Sequence, residues 1–578
     1  MNNGDTHRNG DGVSLPTVDG GNGTPGDTSR RDFLKVLGVA GAGAAAASCG
    51  PPDMGDKLIP YLVPPEDIVP GTNVSYATIL TEAGGPEPLG IHATVRDGRV
   101  IKLEGNPRFP NRGRLSALAQ SALQDLYDPD RIQGPRGRDG NGFTDTDWDA
   151  AIAALAGAIV PGRTVLLTSP QTGSSAEFYA AWADAVGAEW MAWEPLGYEA
   201  LSSAHEIAFG IPGMPQYEIN RADRIVSFGA DFLGSWLSPV EFGARFLESR
   251  RIEQGRQAKF TVVAPRLSLT GLNADVWMAA RPGTEAAVAL ALAGEVARAK
   301  GGEAASRLSG PLAQFTPDAV AERAGIPADK IVRLADDLAS AQNPIILPPD
   351  VSGQDGATTE THLAVALLNY ACGAIGSTVR PGEGPMRGES ASAADMRGLV
   401  DRMESGSIET IIVAGANPVY GVPKSMGFAA AFAGVDNRIS LNSHLDETAA
   451  ACDLLLPSNH ELESWGDAEI RPGIWAVAQP VMRPIFDTRQ REDLLLASAA
   501  LGGESPFEAA DWKSWLETSW RASFEAESEG ATSFEDFWFV MLQAGAVRRA
   551  QSGVDPNPTL RADALERAFR LPEPIEGF

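Results

Sequence analysis

From about residue 72 onward, short apolar runs alternate with longer Ala/Leu-rich stretches of helical character. The runs are Val165–Thr168, Arg224–Phe228, Phe260–Ala264, Pro344–Leu347, Thr410–Ala414 and Asp453–Leu456. Each precedes or follows a helical stretch, so the pattern predicts α/β architecture: parallel sheets with helices on both faces, in more than one doubly wound lobe. Thr94–Leu103 predicts a hairpin, because Asp97-Gly98 separates two short β-prone runs. Residues 505–578 change character. Trp512, Trp515, Leu516, Trp520 and Phe524 fall at three- and four-residue steps on one helix face, and Phe534, Phe537, Trp538 and Phe539 add a second cluster. Such a stripe either packs into a core or docks a partner subunit.

The N-terminus follows different rules. Its first 28 residues are rich in Gly, Asn, Asp and Thr, a composition expected to be disordered. Then come Ser29-Arg30-Arg31-Asp32-Phe33-Leu34-Lys35, a mild apolar run from Val36 to Ala47, and Ser48-Cys49. That run is too short to span a bilayer, whereas a charged start, a short apolar middle and small residues at the end define an export signal. The Arg30-Arg31 pair marks it as a Tat signal, the route for proteins that fold before export. A disordered cytoplasmic tail is the alternative. Ala46-Ala47-Ser48-Cys49 also resembles a lipobox, with Ala46 where a larger residue is usual; lipidation of Cys49 would tether the chain to a membrane without spanning it, and association through partners is the alternative.

Charge narrows the function classes. The 578 residues carry 47 Lys+Arg against 75 Asp+Glu, a net charge of −28, which argues against a nucleic-acid partner. Three cysteines, Cys49, Cys372 and Cys452, stand far apart, so this chain alone cannot build a thiolate-ligated iron–sulfur cluster. The six histidines show no helical metal-ligand spacing, and neither a Walker-type phosphate loop nor a G-x-S-x-G elbow occurs. A self-contained catalytic site has few routes left.

Several short motifs carry a family resemblance. Gly98–Pro107, Asn111–Ser116, Leu126–Arg131, Arg224–Leu233, Val263–Arg266, Ala280–Thr284, Val413–Pro418 and Leu455–Pro457 together resemble, in order, the molybdopterin oxidoreductases of the dimethyl sulfoxide reductase superfamily. Lys57–Gly71 and Glu463–Glu469 are similar, more narrowly, to the molybdopterin-type subunit of alternative complex III, a quinol:cytochrome c oxidoreductase. The resemblance implies two doubly wound lobes plus a small β-rich N-terminal lobe. It assigns 1–49 to a tail and Tat signal, 50–127 to an extension and a degenerate iron–sulfur-type lobe, 128–163 with 340–485 to the first α/β lobe, and 164–339 to the second. Residues 486–578 form a helical, aromatic-rich tail where the family's C-terminal β-barrel lobe is expected and missing.

The departures from the family pattern bear on function. Ser116 occupies the family's fourth cluster-ligand position, and Leu118 replaces a lysine expected between cluster and pterin. Leu196 sits where the resemblance places the protein ligand to molybdenum or tungsten, between Glu194 and Glu199. Serine is a poor iron ligand and leucine no ligand at all. Strand-end segments Ser227–Asp231 and Val413–Pro418 sit where doubly wound sheets place ligands, so Asp231 and Asn417 are the candidates for touching a guanine or ribose edge of any retained molybdopterin guanine dinucleotide. The leading expectation is a subunit without catalytic residues, metal or cofactor. It would scaffold a ferredoxin-type iron–sulfur subunit beside a polytopic quinol-binding membrane subunit and a haem c subunit, on the periplasmic side of the cytoplasmic membrane. Two alternatives remain: a working molybdopterin oxidoreductase completed by partner chains, and an exported α/β small-ligand binding protein.

Overall fold

The computed structural model describes residues 71–82, 87–252, 257–350, 358–501, 503, 505–527, 533–549, 555, 557–562 and 564–565. The Tat-type signal with Arg30 and Arg31, the lipobox Cys49 and residues 57–70 lie outside them.

Three antiparallel strands begin the described chain: β1 (Asn73–Leu80), β2 (Leu89–Arg96) and β3 (Arg99–Gly105), in the order β1-β2-β3. Asp97 and Gly98 form the expected tight turn, both at positive φ (49° and 76°), which suits the right-handed twist of the flanking strands. Ile79, Ile91, Ala93, Val100 and Leu103 are buried and make this the small β-rich lobe.

The larger sheet has seven strands in the order β5-β4-β16-β15-β14-β6-β7. They are β4 (Arg136–Asp139), β5 (Gly142–Asp145), β6 (Thr164–Thr168), β7 (Glu189–Ala192), β14 (Thr410–Ala414), β15 (Asn437–Ser440) and β16 (Leu454–Leu455). The five from β16 to β7 are mutually parallel, and the hairpin β4–β5 joins antiparallel through β16. Every residue of β6 and β14 is buried, as a strand covered on both faces requires.

A second parallel sheet runs β11-β10-β9-β12, formed by β9 (Arg224–Ser227), β10 (Lys259–Val263), β11 (Val276–Met278) and β12 (Pro344–Leu347). Its helix Glu285–Lys300 buries twelve of sixteen residues. Alanine-rich composition favours that helix, Glu285 and the pair Arg298/Lys300 match the two ends of its dipole, and Gly301 at φ 71° ends it. The short pair β8 (Gln216–Tyr217) and β13 (Val379–Arg380) lies beside this lobe in sequence.

Pairing corrects the expected lobe boundaries. The segment 164–192, assigned by the resemblance to the second lobe, belongs to the first, because β6 pairs with β14 and β7 with β6. Conversely Pro344–Leu347 belongs to the second lobe, where β12 lies beside β9. Apolar runs announce strands, but they carry no label for the partner.

The aromatic stripe packs mainly into the core, while Phe539 of the second cluster is exposed. Trp512, Leu516 and Trp520 are at most 2% exposed, and the Trp520 Nε1 donates to Asp467 at 2.8 Å. The strand β19 (Ala546–Arg548) pairs with β18 (Ile474–Ala478), which pairs with β17 (Gly466–Arg471). The segment expected to be a helical tail thus also completes a three-stranded sheet, the β structure that follows β16 among the described residues. No helix among them is long and apolar enough to cross a membrane.

Candidate functional site

Ligands of doubly wound sheets bind beyond the carboxyl ends of the strands. Here β6 ends in Ser169-Pro170-Gln171, β7 in Trp193-Glu194-Pro195 and β14 in Gly415-Ala416-Asn417. These segments wall a cavity of about 290 Å³. Two further cavities share its walls. One of about 410 Å³ adjoins through Glu82 and Gly415–Asn417, and one of about 700 Å³ through Trp193–Pro195, Met386 and Arg387. Together they form a groove across the crest of the seven-stranded sheet.

Polar groups converge on that groove. Arg387 bonds Glu194 at 2.7 Å and lies 4.8 Å from the Tyr198 ring centroid. The turn that delivers Arg387 needs Gly388: its φ is 69°, and a Cβ there would stand 2.3 Å from the Gln171 carbonyl oxygen. Over the end of β14, a Cβ on Gly415 would come within 2.8 Å of Glu82 Oε1 and of Ser169 Oγ, and 3.1 Å from the Arg491 guanidinium. The chain's own side chains therefore fill the space above this strand-end glycine. Its N–H already donates to Asn442 Oδ1 at 2.8 Å, and Arg491 bonds Glu82 at 3.2 Å.

The structure does not gather the sequence candidates into one site. Asn417 lies on the groove, with its amide donating to Glu447 at 2.8 Å and its oxygen accepting from Thr448 Oγ1 at 2.7 Å. Asp231 stands at the crest of the other sheet, where Oδ1 accepts from the Thr270 N–H at 3.0 Å and the main-chain oxygen accepts from Gly234, Ser235 and Trp236. The cavity beside Asp231 is about 40 Å³, room for a water or so and not for a purine. Both residues organise turns.

The positions that the resemblance assigns to metals are aliphatic or otherwise employed. Ser116 caps the helix Ala117–Leu126, its Oγ accepting from the Ala119 N–H at 3.0 Å. Ser116→Ala should cost about 1 kcal/mol of stability, read by urea unfolding; no loss would deny it the capping role. Leu118 is exposed on the wall of the 410 Å³ cavity. Leu196 is 55% exposed, and although Pro195 and Gly197 line the 700 Å³ cavity, its own side chain offers no donor. Glu194 is tied to Arg387. Cys372 and Cys452 are buried, and burial pushes the Cys372 thiol up to about 12 and raises Cys452 as well, so neither is a ready thiolate. This donor set does not fit a [4Fe–4S] cluster or a protein-ligated molybdenum. Sequence reasoning missed Glu82, Arg387 and Arg491, which are meaningful only once strands distant in sequence are neighbours.

A family model described as molybdopterin oxidoreductase matches residues 131–496, more than half of the chain. The menaquinone reductase molybdopterin-binding-like subunit of Nitratidesulfovibrio vulgaris is 27% identical, over 94% of this chain and 80% of that protein. The arsenate respiratory reductase molybdopterin-containing subunit of a Shewanella species is 30% identical, over 34% of this chain and 25% of that protein. Among solved structures, acetylene hydratase from Pelobacter acetylenicus shares the fold at a TM-score of 0.68 and 15% identity, over 87% of this chain and 79% of that one. With the ordered motifs, two doubly wound lobes and a family model covering both, the chain belongs to the molybdopterin oxidoreductase family.

Proposed function

We propose that this chain is a structural member of a quinone-linked respiratory complex: a molybdopterin-oxidoreductase-like subunit that holds no metal centre and scaffolds an iron–sulfur subunit. The observation that carries the reading is the donor set. Where the family grips iron and molybdenum, this chain presents a helix-capping Ser116 and the exposed Leu118 and Leu196. The match along nearly the whole chain to a menaquinone reductase's molybdopterin-binding-like subunit supports the quinone link. On this reading the chain is exported by the Tat route through Arg30-Arg31 and stays at the periplasmic face of the membrane through Cys49 or its partners. Those partners are a ferredoxin-type subunit, a polytopic quinone-binding subunit and a haem c subunit, the assembly that alternative complex III exemplifies.

The test is elemental analysis of the complex purified from membranes, joined to assay of pterin released by oxidation. The expected result is no molybdenum, no tungsten and no pterin; about one equivalent of metal per chain would overturn the proposal.

One observation favours a second reading, a retained molybdopterin guanine dinucleotide in an enzyme completed by partner chains. The groove over the seven-stranded sheet remains open, with cavities of about 290, 410 and 700 Å³ sharing walls. Pterin together with metal in the same assay would establish that reading, and pterin without metal would establish a retained but inert ligand.

A further inference from the structure

Away from the groove lies a cavity of about 670 Å³ where four parts of the chain meet. The loop after β3 brings Arg108 and Arg112, the helix Pro239–Ser249 brings Arg245, β13 brings Arg380, and the β17–β19 sheet brings Arg471 and Arg548. Six guanidiniums around one cavity are unexpected in a chain of net charge −28.

Most of them are already committed. Arg471 is paired with Glu87 at 2.9 Å and with Glu241. Arg245 is paired with Glu218 and, at 2.7 Å, with Glu241. Arg380 is held by Glu218 at 2.6 Å and Glu383 at 3.0 Å, and Arg112 by Glu248. Six guanidiniums thus face five carboxylates, and among the described residues Arg108 and Arg548 pair with none of them. Both are exposed, so the paired arginines form rigid walls and these two offer free donors.

A second, independent observation concerns Gln216, which also lines the cavity and is 3% exposed. Its amide nitrogen donates to Glu241 Oε1 at 3.1 Å. Burial works against ionisation of Glu241, but the charges of Arg471 and Arg245 outweigh it and hold the carboxyl below its usual value, so Glu241 can only accept. That contact fixes which end of the Gln216 amide is nitrogen. The other end, Oε1, is a buried acceptor with no partner. A buried acceptor is destabilising unless something donates to it.

We propose that this cavity binds a phosphate-type oxyanion that also carries a hydroxyl, either hydrogenphosphate or a hydroxylated phosphate monoester. Arginine forks suit the oxyanion, and the hydroxyl supplies the donor that Gln216 lacks. Sulfate brings charge and no proton, so the site discriminates against it. The volume exceeds what a bare phosphate needs and lies in the range of small-ligand pockets, which favours the monoester. The inference is independent of whether the groove holds a pterin.

The test is calorimetric titration of the full chain at pH 7 and low salt with inorganic phosphate, glycerol phosphate and sulfate. Saturable 1:1 binding is expected, with glycerol phosphate and phosphate each at least ten-fold tighter than sulfate. Arg108→Ala with Arg548→Ala, both at exposed positions, should weaken phosphate more than ten-fold, while Arg333→Ala on a remote exposed helix changes nothing. Gln216→Leu should abolish the preference over sulfate. No saturable binding, equal affinity for sulfate, or phosphate bound as well by the double variant would each overturn the proposal.

Discussion

Acidification from pH 7 to pH 5 should cost this protein roughly 4 kcal/mol of stability through two histidines alone. His205, on the helix Glu199–Phe209, and His362, on the helix Thr359–Cys372, are both fully enclosed. Burial pulls His205 down to about 3, helped by the neighbouring charge of His362. Burial also pulls His362 down to about 4 against the opposing pull of the Thr358 and Pro349 carbonyls. Unfolded histidine titrates near 6.5. Between that value and pH 4 the unfolded chain therefore binds protons that the native state refuses, so stability falls as pH falls through 6.5. Each ring contributes up to about 1.4 kcal/mol per pH unit in that window. Against a typical total of 5–15 kcal/mol this is a large share. Urea unfolding of the wild type and of His205→Leu/His362→Leu at pH 7 and 5 checks it: the variant should lose less than about 1 kcal/mol. Carboxylates that burial raises, such as Asp467, are common to both proteins and cancel in the difference. Parallel losses would dismiss the histidines.

Arg471→Ala should destabilise the fold by about 3–5 kcal/mol. Its guanidinium is 7% exposed and lies between Glu87 (4%) and Glu241 (1%), which come from the N-terminal segment and from the second lobe. Removing the cation leaves two buried carboxylates facing each other. Glu87 is already raised by burial and by its neighbour Glu241, with Arg471 working to hold it down. Adding Glu87→Gln to Arg471→Ala should therefore recover part of the loss, because one stranded charge disappears. Chemical denaturation of the three proteins decides the matter, and a single-variant loss below about 1 kcal/mol would show that solvent reaches the site.

Local structure was well marked in the sequence, and long-range structure was not. Asp97-Gly98 announces its turn, because only a few residue types accept positive φ at both positions. The apolar runs of β6, β9, β10, β12, β14 and β16 announce themselves by composition. Which sheet they join depends on pairing across the chain, and for that reason 164–192 and 344–347 exchanged lobes. The ion cluster around Arg471 was illegible for the same reason: its carboxylates lie 230 and 384 positions away. The aromatic stripe showed its periodicity but not what lay opposite. Trp520 faces Asp467, a residue singled out only as part of a motif. At the candidate site, Ser116 stands directly before a helical run, a plain N-cap signature, and its family position obscured that simpler job.

The strand β19 closes a sheet whose other members, β17 and β18, were synthesised about seventy residues earlier. Until the ribosome has released Ala546–Arg548, the Ile474–Ala478 edge offers unpaired backbone donors and acceptors, a ready template for association between nascent chains. Among the described residues β19 is the final strand, and its arrival covers the free edge of β18 that would otherwise stay open to another chain.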